Sequence, residues 1–109
     1  MDDTGMLPLH YICQSKRPSE EAVRVLLELH SYAVNIKDSS TAGKLPIQYA
    51  CTNEVFDKGV VQALLTQQPK HIEAGFRAAQ RVGNAHAQYI LRQMARAMFT
   101  GGLIAYSLD

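Results

Sequence analysis

Tryptophan is absent, and cysteine occurs only twice, as Cys13 and Cys51, with no CxxC spacing. That excludes a disulfide-stapled secreted scaffold and points to a reducing, intracellular compartment. No run approaches the roughly 18–20 consecutive apolar residues that a membrane-spanning helix needs. The opening "MDDTG" is acidic and carries no apolar signal core, so no secretory signal is expected. The four histidines (His10, His30, His71 and His86) form no HxxH or HExxH pattern, which argues against a metal site. A phosphate-cradling loop is missing too: "MFTGGLIAY" at 98–106 has two glycines and no lysine behind them. These absences lead to the expectation of a chain that is not an enzyme and holds no cofactor.

Charge of one sign is also scarce. The formal net charge is +1 and charged residues make up 19% of the chain, so the protein as a whole advertises no anionic partner. The balance shifts along the chain, from six Lys/Arg against eight Asp/Glu in residues 1–69 to five against two in residues 70–109. In the second part, Arg77 and Arg81 stand four apart on one expected helix, and Arg92 and Arg96 do the same on the next. Each pair shares a helix face, and together they make a candidate patch for an anion or a nucleic acid. No aromatic residues are interleaved with the arginines, which weakens a nucleic-acid reading and leaves a solvated outer face as the simpler one.

What the chain has in place of these features is an echo. "GMLPLHYIC" at 5–13 returns as "GKLPIQYAC" at 43–51, with five of nine columns identical. The same offset of 38 lays "VRVLLELH" (23–30) on "VQALLTQQ" (61–68), bringing Val23, Leu26 and Leu27 onto Val61, Leu64 and Leu65. Two separated blocks in one register make a repeat. Such a unit cannot bury its apolar face alone, so stacking on a neighbour has to supply the core.

Each unit reads as two helices. Pro8 and Pro46 suit the first turn of a helix, where a missing N–H costs nothing, and a short helix runs on through Cys13 or Cys51. "QSKRPSEE" breaks it: Pro18 stops continuation, and Ser19 caps a second helix with Glu20 and Glu21 in its first turn. Val23, Leu26, Leu27 and His30 then share one face by their spacing. "TNEVFDKG" is the matching break in the second unit, and the polar "SYAVNIKDSSTAG" projects between units. Residues 71–98 read as a degenerate third unit, with Ala78-Ala79, a Gly83-Asn84 break, and Tyr89, Ile90 and Leu91 in its second helix.

These residues carry a resemblance to the ankyrin repeat. Asp2-Asp3-Thr4-Gly5 is similar to its Asp-x-x-Gly turn, and Pro8-Leu9-His10 to its Pro-Leu-His. A Leu-Leu second helix follows, and Ala33, Val34, Asn35 and Asp38 match the closing strand-like segment. The resemblance implies an all-α solenoid of stacked helix–turn–helix repeats with projecting loops. One domain would span 1–109: repeat 1 at about 2–37, repeat 2 at about 38–70, a capping repeat at about 71–98 and a tail at 99–109. It also implies that His10 hydrogen-bonds at the start of its helix. The chain departs from the family in its 38-residue unit, in Gln48 for His, and in Leu7 and Leu45 where the family has Thr. The missing hydroxyl caps lower the expected stability by about 1 kcal/mol each.

In proteins of this resemblance, loop tips and the exposed side of the first helix bind other proteins. Carried over residue by residue, that face comprises Asp3, Thr4, Met6, Gln14 and Ser15 in the first unit. In the second it comprises Ser39, Ser40, Thr41, Lys44, Thr52 and Asn53, with Gln80 and Arg81 as weaker members in the third. The implied function is a non-catalytic adaptor or assembly subunit whose partners are other proteins. The alternative is an anion binder working through Arg77, Arg81, Arg92 and Arg96. Only two clear units with one degenerate unit fall short of the three that stable arrays need, so completion is expected, either by a larger assembly or by additional sequence beyond these residues. Leu103, Ile104, Tyr106 and Leu108, apolar after the Gly101-Gly102 break, are expected to fold back or to dock on a partner.

Overall fold

The computed structural model describes residues 6–39 and 43–99. Six α-helices follow one another: α1 Pro8–Gln14, α2 Glu20–Leu29, α3 Pro46–Thr52, α4 Lys58–Gln67, α5 Ile72–Arg81 and α6 Ala85–Phe99. There is no strand among the described residues. Three-ten turns at Ser31–Asn35 and Pro69–His71 follow α2 and α4. The helices pack in the register of the repeat: α1 on α3, α3 on α5, and α2 on α4. The helix pair of each unit packs internally as well, α1 on α2, α3 on α4 and α5 on α6.

Local chemistry sets the boundaries. Pro8 and Pro46 each occupy the first helical turn, as their positions predict. The Ser19 hydroxyl accepts from Ala22 N–H at 3.1 Å, and Asp57, 38 residues on, caps α4 by accepting from Val60 N–H at 3.0 Å. Asn84 does the same for α6 through Ala87 N–H. The absent hydroxyl caps of α1 and α3 are replaced from inside each helix. His10 Nδ1 accepts from Leu7 N–H at 2.9 Å and Gln48 Oε1 accepts from Leu45 N–H at 2.8 Å. The third helical residue thus reaches back to the cap, which is half of a capping box. The implied hydrogen bond of His10 is present, and Gln48 performs the same task.

Two sequence expectations are corrected. α2 ends at Leu29, so His30 lies beyond the helix and is exposed, not on the buried face. The segment similar to the family's closing strand is a 3-10 turn over Ser31–Asn35, which buries Ala33 and Val34 without any ladder partner.

The core follows the echo. Leu9 and Ile47, Cys13 and Cys51, Val23 and Val61, and Leu27 and Leu65 are all buried. The third unit joins it through Ile72, Phe76, Ala79, Ala87 and Leu91, whereas Tyr89 points outward. Gly75 explains how closely α5 approaches α3. A Cβ there would lie 2.8 Å from Cys51 Sγ and 3.0 Å from Ile47 Cγ1, inside contact distance for both.

Candidate protein-binding face

Gly43, with a φ of +57°, is the left-handed residue from which the chain turns into α3. Immediately before and after the loop tip, Asp38 and Lys44 clamp its base. Asp38 N–H donates to Lys44 C=O at 3.0 Å, and Lys44 N–H donates to Asp38 Oδ1 at 3.1 Å. Tyr49 of α3 donates its hydroxyl to the other carboxylate oxygen, so this buried aspartate is satisfied on both oxygens. The Lys44 ammonium lies 5.5 Å from the centre of the Tyr49 ring, a cation–π contact at the edge of solvent. His10, fully buried, meets the same tyrosine edge-on. Because Nδ1 of His10 accepts, its proton belongs on Nε2, which donates to Ile36 C=O at 2.8 Å. One histidine therefore ties a helix start to the loop that leads to the next unit.

A second tie crosses between units at the far ends of α1 and α3. The Asn53 amide donates to Cys13 C=O at 2.9 Å and Ser15 C=O at 2.7 Å, satisfying carbonyls that the C-terminus of α1 leaves open. Its own Oδ1 accepts from Val55 N–H. Thr52 turns its hydroxyl back to Gln48 C=O. Ser15 accepts from Arg17 N–H, and the exposed Gln14 amide reaches Met6 Sδ at 4.0 Å.

These two ties flank an open groove of about 440 Å³. Its walls bring together Gln14, Lys44, Thr52 and Asn53, four of the residues expected on a recognition face, with Lys16, Tyr49, Glu54 and Val55 beside them. Two pairs of its lining residues are repeat equivalents, Gln14 with Thr52 and Lys16 with Glu54. Lys16 and Glu54 escaped the family carry-over, although the offset of 38 marks both as residues of the helix–helix break. Ser39 is exposed beside the loop and Met6 is half-buried at the start of α1. Asp3, Thr4, Ser40 and Thr41, and the apolar tail at 103–108, lie outside the described residues.

The arginines lie elsewhere. Arg77 and Arg81 on α5 and Arg92 and Arg96 on α6 are all exposed. Arg92 covers the ring of buried Phe76 at 5.1 Å, and Arg77 donates to Gln80 Oε1 at 3.0 Å. Both side chains thus have local work within the fold.

The chemistry of the remaining groups is quiet. Cys13 and Cys51 are free thiols, and burial pushes the Cys13 pKa up to about 12. Burial raises Cys51 further, with a smaller contribution from Cys13 nearby. Both therefore stay protonated at neutral pH, which is the unreactive form. Burial lowers the pKa of His71, whose Nδ1 has no hydrogen-bond partner among the described residues. No group of three or more His, Cys, Asp or Glu stands together among the described residues. No helix among them is long and apolar enough to cross a membrane. Compared with protein-family models, with curated proteins and with solved structures, the chain matches none.

Proposed function

We propose that this chain is a non-catalytic protein-interaction module, an adaptor or structural subunit of a larger assembly, built as an ankyrin-type stack. The in-register packing of α1 on α3 and α2 on α4 supports the stack. The observation that carries the function is the groove itself. It joins Gln14 of one unit to Lys44, Thr52 and Asn53 of the next in a single exposed trough. A trough of mixed polar, cationic and aromatic groups suits an extended loop or helix end of another protein better than a small apolar ligand. Lys44 and Gln14 face the partner, while Asn53 and Thr52 hold the floor through their bonds to main-chain carbonyls.

A photo-cross-linking amino acid at position 44, or at Arg96 as a control, would locate the partner in extracts of the native source. Cross-links from position 44 that fall away with Gln14→Ala support the proposal. Cross-links only from position 96 contradict it and favour the arginine surface. Salt separates the same two readings. Binding to phosphates through four arginines weakens steeply as ionic strength rises, whereas docking in the groove changes modestly over that range.

A further inference from the structure

The repeat supplies an internal reference for what each surface normally meets. At six positions the second unit buries a residue whose counterpart in the first unit is exposed or only partly covered. The pairs are Leu45 with Leu7, Pro46 with Pro8, Ala50 with Ile12, Val60 with Ala22, Ala63 with Val25 and Leu64 with Leu26. Ala63 is 2% exposed and Val25 49%; Leu64 is fully covered and Leu26 is not. The elements packed on that side of the second unit are α1 and α2. The first unit presents the same face with nothing on it among the described residues. It extends over Leu29, 67% exposed, and Tyr32, 61% exposed. A shallow depression of about 490 Å³ runs across it, floored by Pro8, Ile12, Val25 and Leu26, with Glu21 as the one ionised group in its lining.

We propose that this face receives one further helix pair of the same repeat type, seated on α1–α2 as α1–α2 sit on α3–α4. The inference rests on the stacked-repeat reading above and continues its interface by one step. Polar contacts across the existing interface define what the occupant offers. Asn53 donates to the carbonyls at the C-terminus of α1, and Gln68 donates to Asn35 Oδ1 at 3.3 Å. Their counterparts on the open face are Ser15 and His30. The incoming pair therefore brings helix-end carbonyls to Ser15, an acceptor to His30, and aliphatic side chains to Val25 and Leu26. A second copy of this chain does not meet that description. Its own matching surface (Leu9, Cys13, Val23 and Leu27) is already buried, and its α6 exposes Arg92 and Arg96.

The test supplies the occupant from the protein itself. Residues 6–43 are duplicated in tandem ahead of Met6 of the full chain, which keeps the 38-residue register. The expected result is a monomer in which amide exchange at Val25 and Leu26 of the original first unit slows at least tenfold, with a higher Tm. Val25→Glu in that unit abolishes both gains, while in the unextended chain it shifts Tm little because the site is exposed. Unchanged exchange at Val25 and Leu26 in the extended chain overturns the inference, as does a gain that ignores Val25→Glu. So does a dimer of the unextended chain that already protects these amides. Spin labels at Arg24 and Gln62 of the unextended chain report on stacking alone. Dipolar coupling there with no protection at Val25 removes this inference and leaves the stack; no coupling removes the stack itself.

Discussion

His10 and Gln48 occupy the same position in two short helices that lack a hydroxyl cap, and both turn back to the cap N–H. His10→Gln should therefore keep the capping bond and lose only the bond to Ile36 C=O, for a cost of about 1 kcal/mol. His10→Ala loses both, leaves two partly buried main-chain groups unpaired, and should cost about 2–4 kcal/mol; urea unfolding of the two variants measures the gap. The capping half of this arrangement was legible, because the resemblance implies a hydrogen bond at the helix start. Gln48 looked like a defect for want of any sign that its amide oxygen substitutes for a ring nitrogen. The Ile36 bond was not legible at all, since it joins residues 26 apart through tertiary packing. The thiols make a pH prediction at the same scale. In the unfolded chain a thiol ionises near 9.0, whereas folded Cys13 holds its proton up to about 12. Between those values only the unfolded form releases the proton. The stability from a protonated core thiol is thus complete below pH 9 and falls as pH rises. The slope is up to about 1.4 kcal/mol per pH unit for each cysteine. Urea midpoints measured from pH 8 to 11 should fall, and Cys13→Ala should flatten the decline.

Helix pairs show where burial is uneven along the stack. Leu64→Ala removes a fully covered side chain between α2 and α4 and should cost about 3–4 kcal/mol. Leu26→Ala, at the repeat-equivalent position, should cost about half as much because Leu26 is still partly in water. Equal losses in a chemical melt would mean that the first unit is covered as fully as the second. Gly75→Ala forces a methyl group against Cys51 and Ile47 and should cost about 1–3 kcal/mol by pushing α5 from α3. The existence and order of the helices were written in the sequence, through proline placement, Ser19 and the Val-x-x-Leu-Leu spacing. The end of α2 was not. Periodicity carried His30 onto the buried face, but after Leu29 the chain leaves the helix for a 3-10 turn. A hydrophobic period cannot register where a helix stops unless a glycine or proline marks the place, and neither follows His30.

Across the whole molecule, two units in register and a third of altered sequence form one continuous helical core. The groove that joins them belongs to no single unit, which is why residue-by-residue carry-over found half of it. Gln14, Lys44, Thr52 and Asn53 are visible from the family's pattern, whereas Lys16, Tyr49, Glu54 and Val55 enter only when α1 and α3 lie side by side. Asn53 was legible as a polar residue at a helix end. Its bonds to Cys13 and Ser15 come from the neighbouring unit, and no single-unit pattern contains them. The stack is tested most directly by nitroxide labels on exposed, repeat-equivalent sites of α2 and α4, at Arg24 with Gln62 and at Glu28 with Thr66. The two buried thiols resist labelling in the folded chain. Helices packed side by side at about 8–10 Å should give strong dipolar broadening of similar size for both pairs. Spectra that equal the sum of the single labels would contradict the stacking on which the interaction face depends.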